Sequence, residues 1–301
     1  AAPVRDDGQE MARTTYTTQH PPTWGSMVSG YLVTKAIASG VMLMAALLVL
    51  LGHGDDRMAV GVVPPVVAGV FLALTGVLLV GDLKQPKRFV YLFTRGNRAS
   101  WLVKGAWVLG AFAACLAAWW IASLTGAGGA LAALAVPTAL LALGTAGYTA
   151  FLFSQCEGRD LWQEPLLLPV LVSQAVMAGG ATYSLADLFL DVPSHGAIKW
   201  AFLAGLVANT GLVAAELTGG HSRHVTMALA EFRWGGQRKR YREFAFCTAF
   251  SLVFLGLDVI FGEIVFDWSG PVQPLVPLAA LYGLFAYEDA YVRAGQSVPL
   301  S

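Results

Sequence analysis

Residues 81–107, GDLKQPKRFVYLFTRGNRASWLVKGAW, place charge, turn residues and aromatic residues between two long apolar runs. Asp82 closes the first run, and five basic residues follow before the next run begins: Lys84, Lys87, Arg88, Arg95 and Arg98. A basic loop between two runs of membrane-spanning length is typical of a membrane surface, where it faces water or a partner. The stretch therefore indicates a chain that crosses a membrane more than once.

The composition favours the same class of protein. Of the 301 residues, 56% are hydrophobic and 13% are charged, a balance typical of an integral membrane protein and not of a soluble domain. Lys and Arg total 19, as do Asp and Glu, so the basic excess that nucleic-acid binding requires is absent and we expect no such partner.

Eight apolar runs are long enough to cross the hydrocarbon, which takes about 20 residues in a helix. They cover residues 27–51, 60–81, 101–124, 130–155, 165–186, 196–217, 244–266 and 272–287. The runs are continuous and do not alternate, which favours helices over barrel strands. Small residues at 36–40 and 178–181 predict close packing between helices, and their recurrence in the first and fifth runs suggests two related four-helix halves.

The distribution of basic residues predicts an orientation. With eight spans, both termini lie on the same side as the loops after spans two, four and six. That side holds nearly all basic residues of the loops and tails, whereas the opposite loops hold Arg57 alone. We expect the termini to be cytoplasmic in the inner membrane of the cell. Residues 1–25 form a polar tail without a cleavable signal pattern, residues 26–292 the membrane domain, and residues 293–301 a C-terminal tail.

Histidine and cysteine positions do not indicate a metal or haem site. None of the five histidines lies deep in a run, where imidazole ligands of a membrane haem would project. His221 and His224 are three residues apart, but Arg223 beside them favours a solvated loop. The three cysteines form no CxxC pair, which argues against a cysteine-held iron–sulfur cluster.

Polar and aromatic side chains collect near the predicted cytoplasmic ends of the runs: Tyr31, Lys35, Asp82, Tyr148, Gln155, Arg159, Trp162 and Glu216. Tyr31 and Lys35 are four residues apart and share a helix face, and Tyr148 and Gln155, seven apart, share another. An ionisable group in the membrane costs roughly 3 kcal/mol or more, so these residues are candidates for one pocket. Taken singly, each has a simpler interpretation: interfacial aromatics, a lysine reaching the surface, or a solvated turn.

Asp258 is the one acid well inside a run. Because burial disfavours an unpaired carboxylate, Asp258 is either a proton relay or a structural partner of a polar neighbour such as Asn209 or Gln174. The sequence supports both interpretations equally.

The loop and the fourth run carry a recognisable set of residues. The loop has Asp82 and Leu83, Pro86 to Phe89, Asn97, Ser100 and Trp101, and Gly105, Ala106 and Trp107. In the fourth run Tyr148 precedes Arg159 by eleven residues, and Trp162 follows. In these motifs and in the count of eight runs, the chain resembles the NrfD/PsrC family. Its members are the quinone-reacting membrane subunits of polysulfide reductase-like molybdopterin and related iron–sulfur oxidoreductase complexes.

The resemblance implies two four-helix bundles, a bound quinone substrate (menaquinone or ubiquinone) and no haem or iron–sulfur cluster in this chain. It also implies a ferredoxin-like iron–sulfur partner and, through it, a molybdopterin-type or similar catalytic subunit. The family's fourth-span tyrosine and second-span acid correspond to Tyr148 and Asp82, the expected catalytic residues. Family members often carry a histidine in the first span, where this chain has Tyr31 and Lys35.

We therefore predict a membrane anchor that passes electrons between an iron–sulfur subunit and the quinone pool. The expected quinone-lining residues are Tyr31, Lys35, Tyr148, Gln155, Arg159, Trp162 and Glu216. The expected docking residues are Lys87, Arg88, Arg95 and Arg98, which also suit anionic lipid, and Asp258 is the expected proton relay. An ion-translocating or transport protein and a purely structural anchor are the alternatives.

Overall fold

A computed structural model of the protein describes residues 24–82, 91, 96–126, 128–262 and 273–298. This part of the chain contains nine α-helices and no strand: α1 Ser26–Leu48, α2 Val63–Asp82, α3 Trp101–Thr125, α4 Gly128–Ser154, α5 Leu167–Ala186, α6 His195–Thr218, α7 Arg223–Arg233, α8 Arg238–Phe261 and α9 Leu275–Ser297. The predicted all-α class is confirmed.

Seven helical stretches in the described residues are long and apolar enough to span a membrane. They comprise α1 to α6 and α8, and they confirm a multi-pass membrane protein. Helix α9 is not among them, because Glu288, Asp289 and Arg293 interrupt its apolar sequence. The count of eight spans, the two-bundle arrangement and the division into tails and membrane domain stay predictions.

Helices α8 and α9 extend several residues beyond the predicted apolar runs, and the reason is the pairing of charges. Helix α8 begins at Arg238 and not at 244, since Arg240 is held by Asp289 and Glu243, each at 3.1 Å. Helix α9 continues past 287 to Ser297, since Arg293 pairs with Asp289 at 3.0 Å. Charges that bind one another extend a helix beyond the apolar run that hydropathy detects.

The predicted loop between the sixth and seventh runs also contains a helix, α7. Its apolar face is buried through Val225, Ala228, Leu229 and Phe232, while the opposite face is exposed. This amphipathic pattern is that of a surface helix lying against the ends of the longer helices.

Helices α1 and α5 lie at the centre of the molecule. In the most apolar 18-residue segment of each of these two helices, 67% of the residues are buried. The corresponding share in the other spans is 22–33%. They approach closely at their small-residue patches, where a Cβ on Gly40 would lie 2.6 Å from the backbone nitrogen of Gly179. The close packing predicted from residues 36–40 and 178–181 is confirmed.

Helix α9 packs against α8, α1 and α5 and is largely buried. Ser29 of α1 donates a hydrogen bond of 3.3 Å to Asp289, so this carboxylate is held from three helices. These bonds to Asp289 fix the rotation of α9 about its axis. They bring the neighbouring residue, Glu288, into the protein interior, where it is 2% exposed.

Candidate functional site

Lys35 is the centre of a buried polar cluster between α1 and α4. It is 1% exposed, and its ammonium group donates to the carbonyl oxygen of Ala146 at 3.0 Å and to Oγ1 of Thr149. Lys35 lies nine residues into α1, about 13 Å from the helix start at 1.5 Å per residue. At that depth it does not reach the surface, so the interpretation of Lys35 as a lysine reaching the surface is wrong.

Two tyrosines flank the Lys35 ammonium group. Its nitrogen lies 4.9 Å from the ring centroid of Tyr148 and 5.9 Å from that of Tyr31, within the range of cation–π attraction. Both phenol oxygens are buried near the Thr149 side chain, but neither forms a hydrogen bond of normal geometry with a described residue. A buried polar group left unpaired costs about 1–3 kcal/mol, so two such groups side by side suit a ligand that accepts hydrogen bonds.

Gly105 explains why the motif at residues 105–107, at the start of α3, occurs together with Tyr148. A Cβ at Gly105 of α3 would lie 2.5 Å from Cδ2 of Tyr148, closer than van der Waals contact allows. Only glycine lets the Tyr148 ring approach α3 this closely. The family motif at 105–107 is thus coupled to the fourth-span tyrosine by direct packing.

Glu288 and Gln174 complete the cluster. The sequence analysis missed Glu288 and named Gln174 only as a possible partner of Asp258. Both are nearly inaccessible to solvent, and the Glu288 carboxyl lies within electrostatic reach of Lys35 and beside the Gln174 amide. The Gln174 Nε2 atom has no hydrogen-bond partner among the described residues. The signal that could have found Glu288 is its place one residue after the apolar run that we ended at Tyr287.

Glu216 lies near the end of α6, close to this cluster but bound to different residues. Tyr287 of α9 donates to its Oε2 atom at 2.9 Å, and the imidazole of His221 contacts its backbone oxygen. Glu216 is 2% exposed and interacts electrostatically with Glu288. The structure therefore places it beside the cluster, as a second polar group under the same surface.

Asp82 ends α2 and is within electrostatic reach of Tyr31. This is consistent with its predicted place near the mouth of the pocket. The loop residues Lys87, Arg88 and Arg95, and the motif residues 83–90, lie outside the described residues. Arg98 is described and is exposed in the turn before α3.

Gln155, Arg159 and Trp162 were predicted to line the pocket. Their hydrogen bonds and ring contacts in the structure are with residues other than Tyr31, Lys35 and Tyr148. Gln155 lies beyond the end of α4, accepts a hydrogen bond from the backbone of Trp101 at 2.8 Å and donates to Ala99 at 3.4 Å. Since α4 ends at Ser154, the shared helix face that we assumed for Tyr148 and Gln155 is wrong.

Arg159 and Trp162 close the surface over the end of α9. Arg159 donates to the carbonyl oxygens of Gly295 and Val298 at 3.3 and 3.0 Å, capping that helix. Partial burial lowers the pKa of the Arg159 guanidinium. The Trp162 ring stacks on Trp24 with a centroid distance of 4.7 Å and contacts Gly295 so closely that a side chain there would collide with it.

Asp258 lies at the opposite end of the helices from Lys35. It forms an ion pair of 2.8 Å with Lys199, near the start of α6, and both line a crevice that also contains His195 and Asp187. The predicted pairing with Asn209 or Gln174 is wrong, because the fold brings the start of α6 against the end of α8. Its predicted role as a proton relay stays a prediction.

The described residues contain no group of three or more His, Cys, Asp or Glu side chains that could hold a metal ion. What they do contain is a polar cluster buried beneath one surface of a multi-pass helical membrane protein. Fold and site together define a multi-pass helical membrane protein with a buried polar site.

Comparison with known families gives the same result. Residues 15–266 match the family described as polysulphide reductase, NrfD, and the chain belongs to that family. Its members are membrane subunits of redox complexes, generally quinone-interacting anchors with iron–sulfur partners. No curated protein matches the chain.

Proposed function

We propose that this chain binds the head group of a membrane quinone at the cluster of Tyr31, Lys35 and Tyr148. There it passes electrons between the quinone and an iron–sulfur partner subunit. The observation that carries the proposal is a pair of buried tyrosines on two different helices. Their rings flank one ammonium group, and their hydroxyls have no hydrogen-bond partner among the described residues. A quinone carbonyl accepts hydrogen bonds and would satisfy both donors.

The quinone supplies the redox chemistry, and the protein supplies position and hydrogen bonds. The Tyr148 hydroxyl donates to a carbonyl oxygen and polarises it, and the Lys35 ammonium stabilises negative charge that develops there. Gly105 fixes the plane of the Tyr148 ring. Glu288 balances the charge of Lys35 within the membrane.

The depth of the cluster suits both the quinone and an iron–sulfur partner subunit. Tyr148 lies six residues before the end of α4, about 9 Å below it at 1.5 Å per residue. A head group at that depth leaves its isoprenoid tail in the hydrocarbon and stays near the surface on which a soluble iron–sulfur subunit docks. We place that docking surface on the basic loop with Lys87, Arg88, Arg95 and Arg98, on the cytoplasmic side of the inner membrane.

Purification of the complex with its partner tests the proposal directly. We expect quinone to be extracted from the purified complex in stoichiometric amount, and added quinone to reoxidise the reduced clusters of the partner. The decisive comparison is with Lys35→Met, which keeps an unbranched side chain, one atom shorter, and removes the charge. A parent complex that holds no quinone, or a Lys35→Met complex that reoxidises the clusters at the parent rate, would contradict the proposal.

A further inference from the structure

A line of titratable side chains leads from the surface loops to the Lys35 cluster. It begins with Glu164 and His221, whose side chains are 18% and 9% exposed. It continues through Glu216, Tyr287 and Glu288, each 2% exposed as a residue. The line thus runs from two partly exposed loop residues to three buried ones, and we call it the Glu216 path.

Contacts connect the outer members of the path. The His221 Nδ1 atom lies 3.3 Å from Oε1 of Glu164, and the other ring nitrogen contacts the backbone oxygen of Glu216. Ser222, next to His221, donates to Asp160 at 2.7 Å and so fastens this loop to the loop that carries Glu164. The outer end of the path is thus built from two loops held together.

The inner members adjoin one another across α6 and α9. Tyr287 donates to the Glu216 carboxylate at 2.9 Å, and the next residue, Glu288, interacts electrostatically with both Glu216 and Lys35. The titratable groups that surround Glu216 are Tyr287, Tyr291, Glu288, Glu164 and His221.

Helix stability does not explain the presence of Glu216. A carboxylate near the C-terminal end of a helix lies at the negative end of the helix dipole. Burial of an acid in the membrane adds a further cost of roughly 3 kcal/mol. Such a position is costly for a structural residue and typical of a residue that exchanges protons.

We propose that the Glu216 path carries protons between the water at Glu164 and His221 and the quinone site at Lys35. This inference rests on the proposed function. Reduction of one quinone to quinol takes two electrons from the partner's iron–sulfur cluster and two protons, which form the two new O–H bonds. Each proton taken from the Lys35 cluster is replaced through Glu216 and Tyr287 from the aqueous side, and quinol oxidation returns it the same way.

The test uses the intact complex and the variant Glu216→Gln, which keeps the shape of the side chain and removes its titration. We expect its quinone Kd to equal that of the parent, while turnover falls by about 100-fold or more, the lower end of the range for loss of a proton-transfer group. Two readouts separate proton transfer from packing. The solvent deuterium isotope effect should rise, and a small diffusible acid such as formate should restore part of the rate.

One matched control and one substitute variant complete the test. Glu231→Gln changes an acid of α7 that accepts a hydrogen bond from Gly236 at the surface, and it should leave turnover and isotope effect unchanged. If Glu216→Gln prevents assembly, Tyr287→Phe replaces it, since it removes one hydroxyl and keeps the ring. Loss of turnover is expected there too.

Unchanged turnover in the assembled variant, or a loss that formate does not relieve and that leaves the isotope effect unaltered, would show that the path is wrong. In both cases quinone binding by the parent would leave the proposed function intact. Absence of quinone binding in the parent complex would instead overturn the proposed function itself.

Discussion

Gly105 and Tyr148 are in direct contact: a Cβ on Gly105 would lie 2.5 Å from Cδ2 of the tyrosine ring. One residue is in the helix that follows the basic loop, and the other lies near the end of the next helix. The contact sets the plane of the ring and therefore the direction of a hydroxyl that has no hydrogen-bond partner among the described residues.

Gly105→Ala should displace the Tyr148 ring. Overpacking of this kind typically costs about 1–3 kcal/mol, and we expect lower quinone affinity together with a lower unfolding temperature. Gly110→Ala, in the same helix, is the control, because a Cβ there has no atom within 4 Å. Quinone titration of both variants in detergent measures the effect. Equal affinity for the two would show that the ring plane does not matter.

Tyr148→Phe separates function from stability. In quinone-free protein the change removes an unpaired buried hydroxyl, so the unfolding temperature should stay the same or rise, since such a group costs about 1–3 kcal/mol. Quinone turnover should fall by roughly 100-fold, the lower end of the range for loss of one preorganised donor.

Tyr183→Phe is the matched control for that variant. Tyr183 is also buried, but its hydroxyl donates to the carbonyl oxygen of Ala59 at 3.2 Å, near the other end of the helices. Its loss should lower stability by about 1 kcal/mol and leave turnover unchanged. The opposite pattern in the two variants would refute the assignment of Tyr148.

The sequence predicted the helices well because a membrane-spanning run is a local property. Its length and hydropathy can be read from about 20 successive residues, and the small residues at Gly40 and Gly179 predicted where two helices meet. The residues at which the helices begin and end were less predictable. Arg240 and Arg293 extend α8 and α9 through pairing with Asp289, which depends on a residue distant in sequence or outside the apolar run.

The site was predictable in part, for the same reason. Tyr31 and Lys35 share a helix face by spacing alone, and Tyr148 was selected from the family motif. Gln155 was misplaced because face periodicity holds only while a helix continues, and α4 ends at Ser154. Glu288 was missed because a search for apolar runs stops at an acid, whereas the fold buries it by anchoring its neighbour.

Asp258→Asn tests the predicted role of Asp258 as a proton relay. Because Asp258 lies at the opposite end of the molecule from Lys35 and pairs with Lys199, quinone turnover should be unchanged. The Lys199 and Asp258 side chains are 32% and 17% exposed, and loss of such a partly exposed pair should cost about 1 kcal/mol. Proton movement measured in vesicles then distinguishes the two roles: its loss identifies a relay, and its persistence identifies a structural ion pair. A fall in turnover as large as that of Tyr148→Phe would contradict the separation of the two ends.

The number of spans is open to a direct measurement on the termini. Helix α9 has 23 residues, which at 1.5 Å per residue is about 34 Å, enough to cross a hydrocarbon core of about 30 Å. Its charges do not prevent this, since Asp289 is paired with Arg240 and Arg293, and Glu288 lies within electrostatic reach of Lys35.

We therefore predict that α9 is the eighth span and that both termini are cytoplasmic. Reporters that are active only in the cytoplasm, fused separately before Ala1 and after Ser301, should both be active. A third fusion after Gly126, between α3 and α4, is the control and should be inactive, since the loop after an odd-numbered span lies on the other side. An active N-terminal reporter with an inactive C-terminal one would establish seven spans. Inactive reporters at both termini would leave eight spans and reverse the orientation.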